Sequence, residues 1–177
     1  IPPARILAIA ASRGSWPAYQ RLKSYAAKGD LLSKRSLAVL KLRGTKYITE
    51  DPATAVYELE ELGKKDPRAY LDLAVGADGG SIPGKGPGEA CAYYVQAAVR
   101  GVVEAYMPVV GCLEGGLIDE RVRGDLLGAM QTRAPGDVSA RIVLAQLISM
   151  GDLGQLGFYD LPGIYRAIFN SPGLEVH

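Results

Sequence analysis

The sequence predicts an all-α protein, a right-handed α-solenoid of about five stacked helix-turn-helix repeats. The first observation is a repeat of about 36 residues, in which a small residue is followed by a Leu-Ala-like pair four and five positions later and by Gly eleven positions later. The second is that apolar and small residues recur at spacings near 3.6, the period of a helix face. A fixed period of this size is typical of stacked supersecondary units.

The repeats place a first helix in every unit. With the small residue as offset 0, the pattern starts at Ser33, Ala69, Ala105 and Ala140. In the first unit, offsets 4, 5, 8 and 11 fall on Leu7, Ala8, Ala11 and Gly14. The Gly at offset 11 is expected to end each first helix, because glycine takes the left-handed capping conformation at low cost. The chain is thereby a single repeat domain, with repeats near 3–32, 33–68, 69–104, 105–139 and 140–177.

A second helix follows in each repeat. The expected ranges are 17–28, 52–65, 88–100, 121–134 and 161–169. Several begin near a proline, which is tolerated in the first turn where the missing N–H costs nothing. Asp51 is a candidate N-cap before Pro52. Gly29, Gly101 and Gly136 are expected to end three of these helices.

The charge and composition exclude several classes of partner. Twenty basic and nineteen acidic residues give a net charge of +1. This balance gives no reason to expect a nucleic-acid partner, which would require a clustered basic face. No apolar run approaches the roughly 18 residues that a membrane-spanning helix needs. The chain begins at Ile1 without Met, which indicates a mature segment or a piece of a longer protein. Its oligomeric state stays open.

Catalytic chemistry finds little support in the sequence. The one histidine is the last residue, His177, and a terminal residue is a poor anchor for a catalytic triad. No spacing of His, Cys and carboxylates predicts a metal site. Residues 79–86 approach a phosphate-binding loop but end in Gly86 where a hydroxyl is required. We therefore predict a protein that is not an enzyme, with no catalytic residues, metal or cofactor.

Residues 89–101, Glu-Ala-Cys-Ala-Tyr-Tyr-Val-Gln-Ala-Ala-Val-Arg-Gly, resemble the Sel1-like repeat family, a relative of tetratricopeptide repeats. The resemblance covers residues 33–151 and is weaker at both ends. It departs at offset 8, an aromatic position in the family, which here holds Lys41, Ala77, Leu113 and Ile148. It implies partner binding without catalysis in bacteria, often at the envelope, as in exopolysaccharide secretion. A periplasmic or envelope location follows, with the cytoplasm as the alternative.

The resemblance also implies that the first helices line a concave groove at offsets 2, 6 and 9. The groove is then basic towards the N-terminus and apolar in the middle, with Leu71 and Met107 as anchors. Its expected residues are Arg5, Ile9, Arg35, Val39, Leu42, Arg43, Arg68, Leu71, Val75, Met107, Glu114, Ile142 and Gln146. The leading hypothesis is a scaffold that binds a partner peptide, helix or subunit there. The alternative is a regulatory module that senses a small anion or glycan through the groove arginines.

The two cysteines, Cys91 and Cys112, stand at nearly equal distances from the turn between helices 88–100 and 105–115. An antiparallel hairpin brings such positions opposite each other, so a disulfide can form if the Cα atoms lie within about 7 Å. Such a bond persists in an oxidising compartment. The alternative is that two small residues pack at a helix interface.

Overall fold

The computed structural model describes residues 3–151, which form nine α-helices, a short 3-10 helix and no β-strand. In chain order the α-helices are α1 Pro3–Ser12, α2 Trp16–Ala27, α3 Leu31–Arg43, α4 Pro52–Gly63, α5 Arg68–Asp78, α6 Pro87–Val99, α7 Tyr106–Glu114, α8 Glu120–Arg133 and α9 Val138–Ser149. The 3-10 helix, Val103–Ala105, leads directly into α7. This order confirms the all-helical prediction and the alternation of first and second helices. The second helix expected at 161–169 lies outside the described residues.

Glycines in the left-handed conformation follow the first helices, as the repeat predicts. The residues concerned have φ angles between 64° and 86° and are Gly14, Gly44, Gly80, Gly116 and Gly151. A side chain there would clash with its own backbone, which gives the sequence period a steric cause. Gly29 and Gly101 also have positive φ, whereas Gly136 does not.

Aspartate side chains fix where several helices begin. The N–H of Thr54 donates to Asp51 Oδ1 at 3.1 Å, as predicted for this N-cap. The N–H groups of Ser33 and Val122 donate in the same way to Asp30 and Asp119, at 2.8 and 2.9 Å. Each bond satisfies a backbone donor that the first helical turn leaves unpaired.

The small residues at offset 0 lie where the helices meet. Ser33, Ala69, Ala105 and Ala140 are all completely buried. A larger side chain at these positions would push the first helix away from its neighbours, because interiors are packed to crystal-like density. Close helix packing therefore explains why small residues recur at this offset.

The chain divides into two compact units, residues 1–93 and a second unit that begins at Tyr94, within α6. In the first unit, α1 packs on α2 and α3, α2 on α3, α3 on α4 and α5, and α4 on α5. α1 and α3 thus each contact both their own second helix and the next first helix. That arrangement is consistent with a helical repeat.

The second unit repeats part of this scheme. The first helices α7 and α9 pack on each other, and α9 also packs on α8. Tyr106, Leu126, Met130, Val143 and Leu147 have no solvent-exposed surface and belong to its core. The contact between consecutive first helices is therefore present in both units.

Candidate functional site

The candidate site is taken in each unit separately, as the surface that its first helices present at offsets 2, 6 and 9; we call this surface the first-helix face. In the first unit, offset 6 holds Ile9 in α1, Val39 in α3 and Val75 in α5. Ile9 and Val75 are 49% and 48% exposed, and Val39 is half-buried. Because α1, α3 and α5 pack in succession, the same offset on each places these side chains in one apolar row.

The second unit has its own apolar row at offset 2. Met107 in α7 and Ile142 in α9 are 58% and 44% exposed, and the two helices pack together. Glu114 is exposed at the end of α7, and Gln146 is half-buried in α9. Large apolar side chains at matching positions leave a surface that water solvates poorly.

Leu42 is the groove residue that the structure removes from this face. It is buried, and its Cδ1 lies 3.1 Å from the point that a Cβ of Gly76 would occupy. The missing side chain at Gly76 leaves space on α5, and Leu42 fills that space from α3. The prediction for Leu42 is therefore wrong, whereas Leu71 is half-buried and part of its side chain reaches solvent.

Arg35 forms two ion pairs in the first unit. Its Nη1 lies 2.6 Å from Asp66 Oδ2, and its Nε lies 2.6 Å from Asp72 Oδ2. Burial raises the pKa of Asp72 to about 6, against the opposing attraction of Arg35. The guanidinium of Arg35 is therefore paired with two carboxylates. The ligand-sensing alternative requires a groove arginine that is available to a small anion, and Arg35 is not.

The remaining groove arginines differ from Arg35. Arg43 Nε donates to Ser81 Oγ at 3.2 Å. Arg68 is an exposed residue at the start of α5, and its backbone N–H donates to Asp66 Oδ1. Arg5 and Arg13 line an open cavity of about 810 Å³ at the α1 end of the first unit, together with Ile6 and Ile9. The basic end of the face thus rests mainly on α1 and on the turn after it.

Neither cysteine is a free thiol. The chain has two cysteines, and both Cys91 and Cys112 are disulfide-bonded. The sequence left a disulfide possible for these residues, and each of them is in a disulfide. Their side chains are also buried, at 4% and 6% exposure. The sequence left disulfide bonding and packing at a helix interface as alternatives, and these cysteines are both bonded and buried.

Within residues 3–151, no group of three or more His, Cys, Asp or Glu side chains is placed to hold a metal ion. None of the helices described is both long and apolar enough to cross a bilayer. Comparisons of the chain with protein-family models, with curated proteins and with solved structures find no match.

Proposed function

We propose that this chain is a right-handed solenoid of five helix pairs that acts as a protein-interaction scaffold and holds a partner on the first-helix face. The observation that carries the proposal is the pair of apolar rows that reach solvent in whole or in part, Ile9–Val39–Val75 in the first unit and Met107–Ile142 in the second. Exposed apolar side chains at repeating positions are typical of surfaces that bind other proteins. The proposed role is binding without catalysis, because it requires no chemically reactive side chain.

The partner that fits this face is an amphipathic helix or peptide. Neighbouring packed helices are about 8–10 Å apart, so residues at one offset form a row of separated apolar side chains. Anchors on one face of a partner helix could fill the spaces between them. Arg5 and Arg13 lie at the α1 end of the first unit, beside Ile9, and favour acidic side chains in the matching part of the partner.

A ligand-sensing function is the second candidate, and it rests on Arg5 and Arg13. These arginines line one cavity with apolar neighbours, which suits an anion or an acidic sugar. The ligand-sensing function cannot use Arg35, because the guanidinium of Arg35 already contacts Asp66 and Asp72. The scaffold is therefore the better supported of the two.

We also propose an oxidising compartment, the periplasm or the cell envelope, for this module. The support is that Cys91 and Cys112 are each disulfide-bonded, because such bonds are rare where thiols are kept reduced. The resemblance to Sel1-like repeats suggests the same location and a role in envelope assembly or exopolysaccharide secretion. A cytoplasmic location remains the alternative, and alkylation of thiols in intact cells would distinguish the two.

The test compares protein capture by matched variants. Leu71→Asp and Met107→Asp each place a charge on the first-helix face, and Tyr25→Asp makes a similar change on an exposed residue of α2. Loss of a buried anchor typically costs about 1–3 kcal/mol at an interface. We expect one defined protein to be captured from source-cell extract by the wild type and by Tyr25→Asp, and to be lost with the first-helix variants.

Circular dichroism establishes that each variant keeps its helical fold. If folded Leu71→Asp and Met107→Asp capture the same protein as the wild type, the partner binds elsewhere and the proposal fails. If Tyr25→Asp also abolishes capture, the first-helix face is not the determinant.

A further inference from the structure

The second-helix side of the first unit contains a cleft that the proposed function does not use. It has a volume of about 450 Å³ and lies among α2, α3 and α4, and we call it the α2–α4 cleft. Its apolar lining comes from Ala26, Leu37, Ile48 and Leu62. Small-molecule sites commonly have volumes of about 300–1,000 Å³ and predominantly apolar walls. The cleft therefore has the size and lining of a ligand site.

The positive and negative charges of the side chains that line the cleft do not balance. Lys41 Nζ lies 2.5 Å from Glu58 Oε1, and Glu61 is paired with Lys64 outside the cleft. Lys23 and Lys34 also line it, and neither has an acidic partner within 4 Å in the part of the chain described. The pairing leaves an excess of positive charge beside an apolar floor.

A comparison of α2 with α4 shows why Lys23 is notable. The buried residues of α4, Ala55, Leu59 and Gly63, follow those of α2, Ala18, Leu22 and Ala26, by 37 positions each. By this register, Lys23 stands in α2 where Glu60 stands in α4. The equivalent positions thus carry opposite charges.

Glu60 has a hydrogen-bonding partner that shows what this position does in the next repeat. The hydroxyl of Tyr93 donates to Glu60 Oε1 at 2.7 Å. Tyr93 follows Tyr57 by 36 positions, the same spacing that relates the buried Cys91 and Ala55. The pair corresponding to Glu60 and Tyr93 is therefore Lys23 and Tyr57, and both of these line the cleft.

The corresponding hydrogen bond is absent at the cleft. Among the described residues none joins Lys23 to Tyr57, and Tyr57 is 67% exposed. An ammonium group and a phenol hydroxyl are instead available on the same rim, which is a donor set suited to a carboxylate.

We propose that the α2–α4 cleft binds a small amphipathic anion, with an apolar body against Leu37, Ile48 and Leu62 and an acidic head towards Lys23, Lys34 and Tyr57. Burial of the apolar body supplies affinity, and charge-assisted hydrogen bonds select the sign of the head group. The site uses none of the residues of the first-helix face. A test of this proposal is therefore independent of a test of the scaffold proposal.

Dodecanoate, kept below its micellar concentration, is the probe for the test. The single tryptophan, Trp16, lies 5.4 Å from Tyr19 between ring centroids, and Tyr19 lines the cleft. Tryptophan fluorescence therefore reports occupancy, and calorimetry gives the stoichiometry. We expect saturable binding of one dodecanoate per chain, with acetate and dodecyltrimethylammonium at least about tenfold weaker, because one lacks the apolar body and the other the negative charge.

Two variants test the residues, and one matched variant controls for net charge. Lys23→Gln with Lys34→Gln should weaken dodecanoate binding by about tenfold or more. Lys28→Gln with Lys65→Gln removes two exposed lysines that do not line the cleft and should leave affinity unchanged. Ala26→Leu adds a side chain within the lining and should also weaken binding.

Several results would overturn the proposal. These are no saturable binding of dodecanoate, equal binding of dodecyltrimethylammonium, or equal losses from both lysine pairs. Wild-type affinity in folded Lys23→Gln/Lys34→Gln protein would exclude the proposed head-group contacts. Sedimentation that shows a dimer which Ala26→Leu dissociates would assign the cleft to a second copy of the chain instead.

Discussion

Replacement of Gly63 by alanine tests how closely α4 approaches α5. Gly63 is the last residue of α4 and is buried. A Cβ built on it would lie 2.6 Å from both Cε2 and Cζ of Tyr70 and 2.9 Å from Cε1. The aromatic ring therefore occupies the space that every other amino acid would need, and Gly63→Ala should destabilise the first unit.

The magnitude follows from two opposing effects. Ordinary contact begins near 3.4 Å, so the ring has to retreat by about 0.8 Å. Overpacking of this kind costs about 1–3 kcal/mol. Alanine is favoured over glycine by up to about 1 kcal/mol inside a helix, and by less at its last residue. We expect the free energy of unfolding to fall by about 1–2 kcal/mol.

Urea denaturation followed by circular dichroism measures this change. Gly128→Ala in α8 is the matched control, because its Cβ would meet no atom within 4 Å; it should stabilise by about 0.5–1 kcal/mol. In a Tyr70→Leu background the cost of Gly63→Ala should largely disappear. Wild-type or greater stability of Gly63→Ala would refute the close approach of Tyr70.

Two further predictions concern Asp72 and the disulfide. Burial holds the pKa of Asp72 at about 6 in the folded state, against 3.8 when unfolded, so its contribution to stability is greatest below pH 3.8 and is lost as the pH rises through 6. Between pH 4 and pH 7 the wild type should therefore lose up to about 3 kcal/mol relative to Asp72→Asn in parallel denaturation curves; parallel pH profiles would contradict this. Removal of the disulfide by Cys91→Ala with Cys112→Ala should lower the free energy of unfolding by about 3 kcal/mol, and a variant as stable as the oxidised wild type would show that the bond contributes nothing.

The helical architecture was predictable because glycine, proline and aspartate act locally. The second helix expected at 52–65 is observed at Pro52–Gly63, and the one expected at 88–100 at Pro87–Val99. Their starts depend on a cap or a proline within the same few residues. The end of α3 likewise depends on the φ of Gly44. Such determinants can be read without knowledge of any distant contact.

The details of the site depended on partners far along the chain. Leu42 has the spacing of an exposed residue, but it is buried because Gly76, 34 positions later, lacks a side chain. Arg35 was assigned to the groove without its contacts to Asp66 and Asp72. Periodicity identifies the side of a helix, whereas the identity of the facing residue decides whether a side chain is covered or neutralised.

The register of α2 and α4 links a one-residue change to the chemistry of a surface. Their N-caps, Ser15 and Asp51, are 36 residues apart, while their buried residues are 37 apart. One position in an α-helix corresponds to a rotation of about 100°, so the two second helices present different sectors of their surfaces relative to their caps. Helix pairs can thus keep the same backbone arrangement while a rotation of the second helix about its axis exposes different side chains. A repeat protein of this kind can acquire a separate binding specificity on its second helices without disturbing the contacts of its first helices.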